Sequence, residues 1–161
     1  IFFFDLDLAY SEQPHREQMR HQKSRDFQAA KILVVDDVRY NRLLIEKLLK
    51  TKNVQLDFAE NGREALQHLE QRTYDLIFMD IQMPVMDGIE ATYCIRARAI
   101  KTTIIALTAM DNTEQNKFFE AGMNGFIAKP FSPKDFYACI EKHISLKTKP
   151  SVAKSKDRTT F

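Results

Sequence analysis

The chain has 161 residues, 44% hydrophobic and 29% charged, with no Trp and a formal net charge of +2, enough for one domain with a buried core and too little for two ordinary ones. No apolar run approaches the roughly 20 residues that a membrane-spanning helix needs, so no spanning helix is expected. Part of the basic excess sits in Lys147, Lys149, Lys154, Lys156 and Arg158, which leaves the remainder near neutral or acidic and predicts no nucleic-acid surface.

The opening IFFFDLDLAY has no charged n-region and no cleavage site after its apolar run, so it does not read as a signal peptide. It reads as the cut edge of a longer protein. Phe2, Phe4, Leu6 and Leu8 alternate as in a strand. Residues 11–30 are polar, charged and short of branched apolar side chains, the composition of a linker. From Lys31 the texture changes to KILVV, VRYNRLLIEKLLK, VQLDFA, REALQHLEQ, YDLIFMD, GIEATYCIRA, TTIIALTA, EQNKFFEAG, GFIAKP and PKDFYACIEKHI. That is a fivefold β/α alternation. Its strands are continuous in Ile, Leu and Val, which predicts a parallel sheet covered by helices on both faces.

In the first helix, Leu44, Leu48 and Leu49 recur at helical spacing and are expected to dock on the sheet. Asn61, and Ser132 with Pro133, are suited to starting the second and last helices. Cys94 and Cys139 lie far apart within apolar helical patterns and read as small buried hydrophobes. Residues 147–161 carry a Pro and several Lys and Ser without periodicity, and are expected to form a disordered basic tail.

In a doubly wound sheet, sites form at the carboxyl ends of the strands. Here KILVV ends in Asp36 and Asp37, DLIFM in Asp80, IIAL in Thr108, and GFIA in Lys129 followed by Pro130. Three carboxylates, a hydroxyl and an ammonium suit phosphoryl transfer with Mg²⁺, whose preferred ligands are hard oxygens. A remaining carboxylate can attack phosphorus, while Lys129 and Thr108 serve the phosphoryl oxygens. Alone, the aspartates could cap a helix and turn, Thr108 could bond backbone, and Lys129 could be a solvated charge. Their joint spacing at four strand ends carries the signal.

The DD pair, FMDIQMPVMDG, LTA and KP together resemble the response-regulator receiver family over about residues 31–146. The resemblance implies a flavodoxin-like sheet of order 2-1-3-4-5. It implies Asp80 as phospho-acceptor, Asp37 as a direct Mg²⁺ ligand, Asp36 as a ligand through water or a partner to the other carboxylate, and Gln82 contributing its backbone carbonyl. Lys129 would bond the acceptor carboxylate, with a cis peptide at Pro130. Thr108 and Phe126 would form the switch pair, changing the face built by the fourth helix, fifth strand and fifth helix. Gln82 and Met110 would tune phosphoryl lifetime; Met110 cannot orient a water strongly, so slow self-dephosphorylation is expected. Met83, Met86 and Met110 otherwise read as packing, and Gly88 as backbone geometry.

The opening strand resembles the last strand of a sensor histidine kinase ATP-binding domain, and strand, linker and receiver follow the order of a hybrid kinase. Residues 1–10 would then be the remnant of that domain, and no complete ATP site is present. A rival reading of FFFDLDLAY as the first motif of haloacid dehalogenase-type phosphatases is disfavoured, because Ala9 and Tyr10 replace the usual small hydroxyl or β-branched residue and a polar linker follows. His15, His21, His68 and His143 sit in no phosphotransfer motif and read as surface residues. The donor is therefore expected to be a phosphohistidine elsewhere, with a histidine phosphotransfer protein as possible acceptor. Tyr40, Asn41, Leu44 and the loop after Phe126 would meet a partner helix. The resemblance further implies cytoplasmic exposure, a monomer or weak dimer, and no membrane contact. A module read only through its conformation, without onward transfer, is the alternative function.

Overall fold

The computed structural model describes residues 27, 29–109 and 115–144. These alternate as β1 (Ala30–Val35), α1 (Arg39–Leu49), β2 (Val54–Ala59), α2 (Gly62–Gln71), β3 (Leu76–Asp80), α3 (Gly88–Ala97), β4 (Thr103–Thr108), α4 (Gln115–Ala121), β5 (Gly125–Ala128) and α5 (Pro133–Ile144). The five strands form one sheet of order β2-β1-β3-β4-β5, parallel throughout, as the resemblance implied.

The burial pattern explains why the strands lack polar alternation. Every residue of β3 and β4 is buried, as strands covered on both faces must be. Because successive side chains point to opposite faces, each strand feeds two cores. Leu33, Val35, Ile77, Met79, Ile104 and Ala106 meet Ala65 and Leu66 of α2, Ala91 and Ile95 of α3, and Phe118 of α4. Ile32, Val34, Leu76, Phe78, Ile105 and Leu107 meet Ile45 and Leu49 of α1 and Phe136, Ile140 and Ile144 of α5. In that second core Phe78 stacks on Phe136 with ring centroids 4.8 Å apart. Truncating either to Ala would cost about 3–5 kcal/mol through lost transfer energy and the cavity left behind.

The helix starts follow the local sequence. The Asn61 side chain accepts from the Glu64 N–H at 3.0 Å, satisfying an amide that the first turn leaves free, and the Glu64 carboxylate reaches back to accept from the Glu60 N–H just before the cap at 2.9 Å. Ser132 Oγ accepts from the Asp135 N–H at 3.2 Å, with Pro133 at the first helical position, where it has no amide to lose. Asp87, passed over in the sequence, caps α3 by accepting from the Glu90 N–H at 2.8 Å.

Two sequence expectations need adjustment. On α1 the sheet-facing residues are Ile45 and Leu49, with Leu48 half-buried, whereas Leu44 is 38% exposed. The helix is rotated about its axis relative to the predicted stripe, so that Ile45 joins Ile32 and Val34 of β1 in the second core. The boundary drawn at Lys31 also falls late. Phe27 is buried among the residues of the second core, its N–H bonds the Lys52 carbonyl at 3.1 Å, and Ala30 already pairs with Val54 of β2.

Cys94 and Cys139 are unpaired thiols packed against the margins of the two cores. Burial pushes the Cys139 thiol up to about 11, which keeps it protonated and unreactive at neutral pH. Among the described residues no helix is long and apolar enough to cross a membrane. The opening strand, residues 11–26 and the C-terminal tail lie outside the described residues.

Candidate functional site

The parallel register brings the carboxyl ends of β1, β3, β4 and β5 to one edge of the sheet. Strand order reverses between β1 and β3, which opens a crevice there. Asp36 follows β1 and is fully buried; Asp80 ends β3 and is 7% exposed; Asp37 is exposed at the mouth. Carboxylate oxygens of all three lie within 4.8 Å of one another. Lys129, directly after β5, reaches across the crevice. Its Nζ stands 2.7 Å from Asp36 Oδ2 and 3.1 Å from Asp80 Oδ2.

The two inner carboxylates live differently. Asp36 accepts from the Val38 N–H at 2.9 Å, from the Asn41 amide on both oxygens at 3.1 and 3.0 Å, and from Lys129. Asp80 has Lys129 and the backbone N–H of Gln82 as donors, and burial holds its carboxyl above the ordinary range. Lys129 and the Gln82 N–H pull it down, while the Asp36 charge adds to the rise. A buried carboxylate whose charge is incompletely neutralised is one that a cation or a covalent bond to phosphorus would relieve.

The remaining predicted residues occupy neighbouring positions. Thr108 ends β4, is 2% exposed, and its carbonyl accepts from the Lys129 N–H at 2.6 Å, so it flanks the lysine. Phe126 on β5 is half-buried against the first core, its ring 6.4 Å from that of Phe118 on α4. The Lys129–Pro130 peptide is cis. Gln82 is exposed beside Asp80. Met110 lies outside the described residues.

Of the residues expected to face a partner, Tyr40 is 73% exposed and Leu44 38%. Asn41 instead turns inward onto Asp36. Sequence reasoning missed that inward turn, and it missed Arg42 altogether. Arg42 Nη1 donates to the Asp36 carbonyl at 2.6 Å and the Asp37 carbonyl at 3.3 Å, and its Nη2 pairs with Glu60 at 2.6 Å. The available signal was a cation in the first turn of a helix, where the dipole disfavours it. His68 is also more than a surface residue, since its Nδ1 lies 3.2 Å from the Tyr74 hydroxyl.

Residues 32–141 match the response regulator receiver domain family. The chain is 39% identical over 107 residues to hybrid signal transduction histidine kinase E of Dictyostelium discoideum, covering 62% of this chain and 6% of that protein. It thus spans a small part of the relative it matches. Among solved structures, the receiver domain of sensor histidine kinase PA1611 from Pseudomonas aeruginosa, with magnesium coordinated in its active-site cleft, superposes with a TM-score of 0.67 at 33% identity. That match covers 73% of this chain and 98% of the other. The receiver domain of the response regulator Ssk1 from Saccharomyces cerevisiae, solved with the histidine phosphotransfer protein Ypd1, gives a TM-score of 0.73 at 26% identity over 78% of this chain and 96% of that one. Sheet order, the converged strand ends and these likenesses agree: the chain belongs to the response regulator receiver domains of two-component signalling.

Proposed function

We propose that Asp80 accepts a phosphoryl group from a phosphohistidine donor and that the acyl phosphate is then relayed or read as a conformational switch. The observation that carries this reading is Lys129 Nζ held between Asp36 and Asp80 at 2.7 and 3.1 Å. A lysine so placed neutralises the acceptor before reaction and one phosphoryl oxygen after it. In the step, an Asp80 oxygen bonds to phosphorus as the phosphorus–nitrogen bond to the donor imidazole breaks, and the imidazole keeps the electron pair and takes a proton.

The oxygen set of Asp36, Asp37 and Asp80 fits Mg²⁺, which prefers hard oxygen ligands and would keep several waters. Asp37 and Asp80 would hold it directly with the Gln82 carbonyl, and Asp36 through water. When bound, the ion neutralises charge on the transferring phosphoryl oxygens. Thr108 donates to a phosphoryl oxygen, and its movement vacates space into which Phe126 turns, altering the α4–β5–α5 face and shifting the population of two arrangements.

The hybrid kinase E relative, and the receiver solved with a histidine phosphotransfer protein, support a place for this chain in a phosphorelay within a hybrid histidine kinase. Residues 1–10 would then be the end of its ATP-binding domain and residues 11–26 the linker.

Intact mass after treatment with acetyl phosphate, with and without Mg²⁺, tests the acceptor. One Mg²⁺-dependent phosphoryl group that vanishes in Asp80→Asn is expected. Equal labelling of the variant would reassign the acceptor, and an unmodified wild type would leave a module read by its conformation alone.

A further inference from the structure

Helix α1 begins in an unusual way. Val38 at its N-cap supplies no side-chain hydrogen bond, and its first turn carries no acidic residue but does carry Arg39 and Arg42. The helix dipole disfavours cations there by some tenths of a kcal/mol. A local choice that opposes propensity calls for a gain elsewhere, and Arg42 shows where it arises. Its side chain is 12% exposed, and the guanidinium bonds the carbonyls of Asp36 and Asp37 and is anchored from the far side by Glu60.

Asn41 completes the arrangement. An ionised carboxylate has about four lone-pair sites, and the Asp36 oxygens receive Val38 N–H, two contacts from the Asn41 amide, and Lys129. With these donors on both of its oxygens, Asp36 is disfavoured as a direct ligand of a divalent cation and is left to act through water. Asp37 is the converse. Its backbone carbonyl is held by Arg42, while its exposed carboxylate accepts no hydrogen bond among the described residues and lies within reach of Asp80.

We propose that Asn41 and Arg42 are positioning residues of the phospho-acceptor site. Asn41 commits Asp36 to an internal role facing Lys129, and Arg42 fixes the peptide of residues 36–37 so that Asp37 presents its carboxylate, with Asp80, to the divalent cation. This rests on the phospho-acceptor reading above. Partners that orient metal ligands typically change metal affinity by about 10–100-fold when removed. Neither residue touches the reacting atoms, so the loss belongs in cation affinity and not in the maximal rate.

The test uses the full chain with Asn41→Ala, Arg42→Ala and Arg42→Lys, the last retaining charge and giving a milder variant should the alanine fail to fold. Two quantities are read: Mg²⁺ affinity by calorimetric titration with MgCl2, and the Mg²⁺ concentration for half-maximal labelling by acetyl phosphate. Arg42→Ala and Asn41→Ala are expected to weaken Mg²⁺ binding and raise the half-saturating concentration by about tenfold, with labelling at saturating Mg²⁺ within about twofold of wild type. Arg42→Lys is expected to fall short of wild type, because an ammonium cannot span two carbonyls and Glu60 as a planar fork does. Unchanged half-saturation alongside a lower melting temperature would make these residues structural ties and overturn the proposal. So would full restoration by Arg42→Lys, which would assign the effect to charge alone. Wild type that neither binds Mg²⁺ nor labels would overturn the phospho-acceptor reading itself, a result visible without any variant.

Discussion

Gly88 passes so close to Asp80 that a Cβ built on it would fall 2.1 Å from the Asp80 carbonyl oxygen and 2.9 Å from Met79 Cγ. Only a residue without a side chain lets α3 begin against the end of β3, where the Gly88 N–H bonds the Ile81 carbonyl at 3.1 Å. Gly88→Ala must push α3 and the acceptor strand apart. Overpacking of this kind costs about 1–3 kcal/mol, so the urea midpoint should fall by that equivalent. Labelling of Asp80 by acetyl phosphate should slow as well, since the displaced backbone carries the acceptor.

Asp80 also sets a pH-dependent prediction. Its carboxyl titrates above the ordinary range chiefly because of burial. For a carboxyl raised on folding, the native state is penalised above the folded pKa, and the penalty fades as pH falls through that value towards the unfolded one near 3.9. In the presence of a chelator, Asp80→Asn should therefore melt higher than wild type at pH 7, and the gap should close towards pH 4. Excess Mg²⁺ should narrow the gap at pH 7 by stabilising the wild type. A variant that melts lower at pH 7 in chelator would contradict the assignment of Asp80 as a strained carboxylate.

Val85, in the connection between β3 and α3, has φ +72° and is 68% exposed. A β-branched residue in the left-handed region is strained by about 1–3 kcal/mol, and at this exposure there is little packing to offset it. Glycine removes the strain but adds freedom to the unfolded chain. Val85→Gly should consequently stabilise the fold by about 1 kcal/mol net, read as a higher midpoint in chemical unfolding. A loss of stability would mean that the exposed methyl groups make contacts that matter more than the backbone does.

Asp57 on β2 accepts from the Tyr74 hydroxyl at 2.7 Å and from Arg72 Nη1 on both oxygens at 2.9 Å. Burial alone would raise its carboxyl; the Tyr74 and Arg72 bonds, with the Arg72 and His68 charges, outweigh that and hold it below the ordinary range. A depressed carboxyl contributes stability that is present above the unfolded pKa of about 3.9 and lost as pH falls through the folded value. Asp57→Asn should lower stability at pH 7 and flatten its fall below pH 4, measured as urea midpoint against pH. Parallel wild-type and variant profiles below pH 4 would show that Asp57 does not report on acid unfolding.

Sequence pattern alone was sufficient for the alternation of five strands and five helices, the covering of both sheet faces, and the placing of Asp36, Asp37, Asp80, Thr108 and Lys129 at strand ends. Those features are local: periodicity and apolar runs are properties of ten-residue windows, and a parallel sheet carries every strand's carboxyl end to the same edge. Tertiary structure decided which side chains meet. Lys129 contacts Asp36 across 93 residues of chain, and no window reveals that Asp36 is ringed by protein donors while Asp37 is exposed. The same holds for α1, whose rotation about its axis buries Ile45, exposes Leu44, and turns Asn41 and Arg42 into the site. Periodicity gives the existence of an apolar face, but its angle is set by packing against the sheet, and that angle determines which first-turn residues reach the aspartates.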